Sequence, residues 1–214
     1  VGPNRAMATN RSRHSVVKQY AQLAGQYETR WSFYVDATTE ATLARLPENT
    51  GDLLDVGCGT GALLARVPDV RSGVRLSGID ATPAMVERAR KRLPKDVFLA
   101  AGWAEALPFA DGRFDTVVSS SMFHYIRQPA LAVSEMLRVL RPEGRLLIVD
   151  WCDDYLMCKL CDLYLRWFDP AHYCTYGVRE LQALLDVSQV RAVRVERFRI
   201  SMFWGLMSAS GRKG

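Results

Sequence analysis

The chain has 214 residues, 49% hydrophobic and 24% charged, with a formal net charge of +5. This composition suits one domain with a substantial core and excludes disorder as the main state. The basic residues are spread out (Arg5, Arg11, Arg13 and Lys18 early, Arg212 and Lys213 late), so no dense cationic block argues for nucleic acid.

Residues 1–14 are expected to be a flexible basic N-terminus, and 15–214 a single domain. A long helical pattern over 15–46 places Tyr20, Tyr27, Trp31 and Tyr34 near one face. Those aromatics either pack the helix on the domain or form a lid over a binding site. From residue 52 onward, apolar runs alternate with helical patterns. Strands are predicted at 52–56, 75–79, 97–100, 114–119 and 144–150, with helices at 61–67, 83–93 and 128–140. This alternation argues an α/β fold, a Rossmann-like doubly wound sheet with every strand C-terminus along one edge. Helices at 153–168 and 178–187 follow. Two strands, 190–200 and 202–209, then stand almost without a connection, which predicts an antiparallel C-terminal hairpin. The sheet is therefore expected to be mixed, with seven strands.

The strand Leu53–Val56 carries Asp55 and runs into Gly57-Cys58-Gly59-Thr60-Gly61. Glycines at alternating positions let the backbone turn sharply and a ligand approach closely, and the turn delivers N–H groups at a helix start. A nucleotide-type ligand follows. Asp55 opposes a pyrophosphate and suits a ligand offering a cation, such as an amino group or a sulfonium. About 20 residues on, Asp80 ends the strand Arg75–Ile79, where a carboxylate accepts hydrogen bonds from ribose hydroxyls or caps the next helix.

With these two segments in order, the chain resembles the class I S-adenosylmethionine-dependent methyltransferases. Three further segments match in sequence: Gly102–Phe109, Phe114–Ser120 with Phe123-His124, and Leu137–Arg145. The nearest branch is the ubiquinone/menaquinone C-methyltransferase-like (type 11) group. The resemblance implies S-adenosyl-L-methionine as donor and S-adenosyl-L-homocysteine as product. Asp55 would influence the amino end of the methionine moiety, with the backbone of Gly57, Cys58, Gly59 and Gly61 shaping the loop beneath it. Asp80 would hold the ribose, Ala81 and Met85 would flank the adenine, and Gly102, Trp103 and Ala104 would border its other side. Ser119 would face the donor near its sulfonium, and Tyr20 and Tyr27 would close over it. Position 103 departs from the family, which commonly has Asp there. An indole N–H cannot accept the adenine amino group's hydrogen bond, so Glu105 is the candidate acceptor.

Methyl transfer needs alignment and exclusion of water more than it needs reactive side chains. His124 is the candidate catalytic base, with packing or loop capping as its alternative role. The acceptor would be a small molecule, hydrophobic or aromatic, capped by residues 151–180. Trp31, Tyr125, Trp151, Tyr155, His172 and Tyr176 would contact it, or much of this surface would be core.

Cys152, Cys158, Cys161 and Cys174 lack the paired turn-borne spacing of a zinc site, so no metal is expected and buried structural thiols fit better. The sequence shows no leader pattern and no apolar run near the roughly 20 residues of a membrane span. With five cysteines, one inside the glycine loop, a cytoplasmic protein is expected. Peripheral membrane contact and oligomeric state stay open. Two other classes compete: a non-catalytic donor-binding or scaffold protein of this fold, and a nicotinamide-dependent oxidoreductase, whose Gly-x-Gly-x-x-Gly spacing this loop lacks.

Overall fold

The computed structural model describes residues 17, 18, 20, 21, 27–169, 172–202 and 204–214, without the side chains of 27–31. The expectations for residues 1–14 and for the Tyr27 and Trp31 side chains lie outside these residues. Helix α1 spans Tyr27–Leu43 and leads to β1, Asp52–Val56. Every residue of β1 is buried, as a central parallel strand covered on both faces requires. Then come α2 (Ala62–Val70), β2 (Arg75–Asp80), α3 (Pro83–Arg92), β3 (Phe98–Ala101) and β4 (Phe114–Ser120). A 3-10 turn at Phe123–Tyr125 precedes α4 (Pro129–Val139), β5 (Leu140–Trp151), α5 (Leu156–Phe168), α6 (Val178–Val187), β6 (Arg191–Arg199) and β7 (Gly205–Arg212).

The strands form one seven-stranded sheet in the order β3-β2-β1-β4-β5-β7-β6. The pairs among β1 to β5 are parallel, and β7 runs antiparallel to both β5 and β6. Strand periodicity divides the core between the two faces. Leu54, Val117 and Ile148 join one buried cluster, while their neighbours Leu53, Val118 and Leu147 join the other. The expected seven-stranded mixed sheet with its C-terminal hairpin is present.

Two strand boundaries differ from expectation. β5 starts at Leu140 rather than 144: Phe114 pairs with Leu140 before the register shifts, so Arg141–Gly144 forms an irregular strand rather than a break. β7 starts at Gly205 rather than 202, because the chain turns there. Ile200 N–H donates to the Trp204 carbonyl (3.1 Å), and Trp204 N–H to the Ser201 hydroxyl (3.0 Å).

At the edge where β1 begins, Asp52 is 1% exposed and bonded by Arg75 (2.7 Å), Arg113 (2.8 Å) and Arg141 (2.9 Å). Among the described residues, no helix is long and apolar enough to cross a membrane.

Candidate donor and acceptor site

At the opposite edge, where β1, β2 and β4 end, the described residues form a cavity that α1 also lines. The glycine turn forms its floor. Gly57 has φ 84°, and a Cβ there would meet the Met122 side chain at 2.4 Å, so a side chain at this position brings both strain and a clash. Gly59 has φ 52° with open space where its Cβ would be. Its N–H donates to Asp80 (2.9 Å), whose other carboxylate oxygen accepts from Thr82 N–H (2.8 Å).

Asp55 and Asp80 both line this cavity. Burial, and then the neighbouring Asp80 charge, push the Asp55 carboxyl up to about 7. Its Oδ1 is buried and has no hydrogen-bond partner. Burial also raises Asp80, against the pull of its two N–H donors. A buried carboxylate without a cation is costly. An amino group or sulfonium of a bound ligand would supply that cation. The open space at Gly59 and the orphaned Asp55 oxygen thus fit a cationic nucleoside ligand.

Most of the donor residues expected from the sequence meet here: Tyr20, Gly57, Cys58, Gly59, Ala81, Met85, Gly102, Trp103, Ala104 and Glu105 all line the cavity. Gly61 does not line it, but with φ 79° it caps α2, and a Cβ there would meet Leu93 at 2.7 Å. Ser119 is a correction. It is fully buried, does not line the cavity and has an unpartnered hydroxyl. Alternation along β4 turns it to the opposite face, so Ser120 and then Ser121 line the cavity instead. Ser121 has φ 55°, in the left-handed region that non-glycine residues seldom occupy.

Aromatic side chains tie α1 and Tyr20 to the rest of the domain. Tyr34 donates to the Ser121 hydroxyl (2.7 Å) and accepts from the Trp151 indole N–H (2.6 Å), and the Tyr20 hydroxyl meets that of Tyr125 at 2.6 Å. Sequence spacing puts Tyr34 on the face of Tyr20, so its place in the site is readable; its two hydroxyl partners are not.

His124 does not line the cavity. Its ring lies against Tyr125, which does, with centroids 4.1 Å apart, and stacks on Trp151 at 5.0 Å. His124 Nδ1 contacts Asp150 Oδ1 at 2.6 Å, and its backbone N–H donates to Asp150 Oδ2 at 3.1 Å. Asp150 therefore holds the ring through Nδ1 and the backbone through its other carboxylate oxygen. His172 lies 5.6 Å from His124 by ring centroid, with Nε2 on Asp162 at 2.7 Å and a buried, unpartnered Nδ1. Burial pushes the His172 imidazole down, against the opposing pull of Asp162.

For Tyr155 and Tyr176 the structure matches the expected alternative of core packing. Both pack against the core: Tyr176 beside Phe123 and Tyr155 beneath Arg197 and Arg199. Cys158 bonds the Gly205 backbone through sulfur (3.3 Å), and all five cysteines are free.

A mixed sheet of this order, with a glycine turn after β1 and a carboxylate ending β2, is the class I S-adenosylmethionine-dependent methyltransferase fold. Residues 54–148 match the family model described as a methyltransferase domain, so this part of the chain carries that domain. It is 36% identical over 138 residues to an uncharacterized methyltransferase of Mycobacterium tuberculosis, covering 64% of this chain and 54% of that one. A demethylmenaquinone methyltransferase of Beutenbergia cavernae is 39% identical over 112 residues, 52% of this chain and 45% of that one. The chain thus spans about half the length of the curated relatives it matches. A solved structure from Thermotoga maritima, described as a SAM-dependent methyltransferase and possible histamine N-methyltransferase, shares the fold with a TM-score of 0.77. It is 20% identical and covers 93% of this chain and all of that one. The donor of this family is S-adenosylmethionine.

Proposed function

We propose that the chain transfers a methyl group from S-adenosylmethionine to a small hydrophobic or aromatic acceptor by in-line displacement, and that it does so in the cytoplasm. The observation that carries the donor half is the buried, cation-less Asp55 beside Asp80 on the cavity floor. Residues 15–214 act as one unit in this reading, with 15–46 closing over the donor and 151–180 capping the acceptor.

When bound, the donor supplies an electrophilic methyl group on a sulfonium. Asp55 meets the cationic end of the methionine moiety, and the Gly57–Gly59 backbone passes beneath it. Asp80 accepts from the ribose hydroxyls in place of the Gly59 N–H it now holds. Met85 and Ala81 flank one side of the adenine and Trp103 and Ala104 the other, while Glu105 accepts from its amino group. Tyr20 and Tyr34 exclude water, and alignment of this kind is worth roughly 7–11 kcal/mol of barrier.

For an acceptor that keeps its proton at neutral pH, His124 Nε2 is the base. Asp150 holds the imidazole and stabilises the imidazolium when the proton arrives. Movement of the Tyr125 ring, now held by the Tyr20 hydroxyl, opens Nε2 to the acceptor. The aromatic surroundings, Tyr34, Tyr125 and Trp151, support an apolar or aromatic acceptor. So does the relative named for demethylmenaquinone.

The test is incubation with methyl-labelled donor and fractionated metabolites, followed by identification of the labelled product. Binding of S-adenosylhomocysteine without label in any fraction rejects the enzyme and leaves a binding protein. Stabilisation by NADH but not by S-adenosylhomocysteine rejects the donor. His124→Ala should lower turnover by about 10²-fold or more with donor affinity intact; unchanged turnover removes the base.

A further inference from the structure

Helix α5 shows solvent the wrong face for a soluble domain. Leu156, Leu160, Leu163, Tyr164, Trp167 and Phe168 are all more than half exposed, Trp167 reaching 80%. At 3.6 residues per turn they fall within an arc of roughly 140°. The helix cannot roll this arc inward, because its other face is fixed. Cys158 is buried on the Gly205 backbone, and buried Asp162 holds His172, the Thr175 N–H (2.7 Å) and Arg166 (2.6 Å). Large contiguous apolar surface on a domain of this size marks an interaction site.

The charges on the helix indicate the partner. Asp162 is the acidic residue of Leu156–Phe168 and it is turned inward, whereas Lys159, 3.8 Å from Asp153, and Arg166, paired with Asp162, are exposed along one border of the arc. Arg197 and Arg199 lie over Tyr155 at the start of the helix. An apolar face rich in aromatics, bordered by Lys and Arg, is the make-up of a helix lying in a membrane interface. A second copy fits less well. Two antiparallel α5 helices crossing at their centres set Lys159 of one copy against Arg166 of the other, and like charges repel.

We propose that α5 docks this domain on the surface of an anionic phospholipid bilayer, its apolar arc entering the headgroup boundary and its basic border meeting lipid phosphates. The arc also continues inward. Leu160 and Tyr164 form one side of an apolar groove that reaches Trp151 and Trp204, and the Trp151 indole stacks on His124. Resting on the methyl-transfer reading above, this groove gives an apolar acceptor a path from the lipid surface toward the site.

The experiment is co-sedimentation of the full chain with vesicles of phosphatidylcholine alone and with 30% phosphatidylglycerol. Binding to the anionic vesicles should be stronger by about fivefold for each basic residue engaged and should weaken in 0.5 M salt. The variant Leu160→Glu/Trp167→Glu changes exposed side chains only and should lose at least about tenfold in vesicle binding. S-adenosylhomocysteine affinity, measured by calorimetry on the same samples, should not change. The proposal is overturned by failure to bind either vesicle, by unaltered binding of the double variant, or by a wild-type dimer in light scattering that the double variant converts to monomer. Absence of S-adenosylhomocysteine binding overturns the methyl-transfer reading and leaves the docking result standing.

Discussion

Asp52 and Asp55 stand three residues apart on β1, both almost fully buried, 1% and 2% exposed, yet the protein treats them in opposite ways. Asp52 is surrounded by three guanidinium groups. Arg75 foremost, with Arg113 and Arg141 against the cost of burial, holds its carboxyl well below the usual carboxylate range. Asp55 has no basic neighbour bonded to it and is pushed up to about 7. One end of the strand satisfies its charge within the fold. The other end has no such partner within the fold, and this singles out the strand's C-terminal end as the candidate site without reference to any relative.

The largest effect should come from Asp52→Ala. It removes the counter-ion shared by three arginines and should cost about 2–3 kcal/mol of stability in urea unfolding. Donor affinity of the folded protein should be unchanged; a loss under about 0.5 kcal/mol would mean the network is ornamental and break the comparison.

Next, Asp80→Ala should weaken S-adenosylhomocysteine binding by about tenfold or more in calorimetry, the scale of hydrogen bonds to a charged group. Equal affinity in that variant would remove the ribose assignment.

The pH dependences should also oppose each other. The folded-state pKa of Asp52 is depressed, so its contribution is present above the unfolded value of about 4 and is lost as pH falls below that value. Asp55 is raised, so the ligand-free protein loses stability as pH rises from about 4 to about 7. An amino-bearing donor needs Asp55 ionised, and its affinity should rise about tenfold between pH 6 and 8 with proton release on binding. Calorimetry in buffers of different ionisation enthalpy measures that release. Its absence, or its survival in Asp55→Asn, would assign the proton elsewhere.

The smallest effect should be Arg75→Ala. This side chain is 71% exposed and is one of three partners, so the loss should be below about 1 kcal/mol. A larger cost would show that the three arginines are not interchangeable.

How much of this the sequence revealed depended on how local the signal was. Gly57, Gly59 and Asp55 declare themselves, because a sharp turn and its acidic neighbour are encoded in a few adjacent residues. Asp80 is legible by its distance from that turn. Ser119 is not legible in this way, because one residue of offset along β4 reverses the face and Ser120, not Ser119, lines the cavity. The Asp150–His124 contact joins residues 26 apart, and the cluster around Asp52 reaches from Arg75 to Arg141. Neither has a local pattern. On α5 the apolar periodicity is plain in the sequence. Which face points outward is decided by Cys158 and Asp162, and they look like ordinary helix residues until Gly205 and His172 are placed beside them.

The sheet order has a consequence for how the chain comes to be folded. Strand β7 lies between β5 and β6, so β6 cannot join the sheet until Gly205–Arg212 has entered first. Before that, β5 presents an open edge along Arg145–Trp151, most of it buried in the finished protein. Unpaired apolar edges invite pairing with other chains. A chain lacking Gly205–Arg212 should therefore be more prone to aggregate than the full chain.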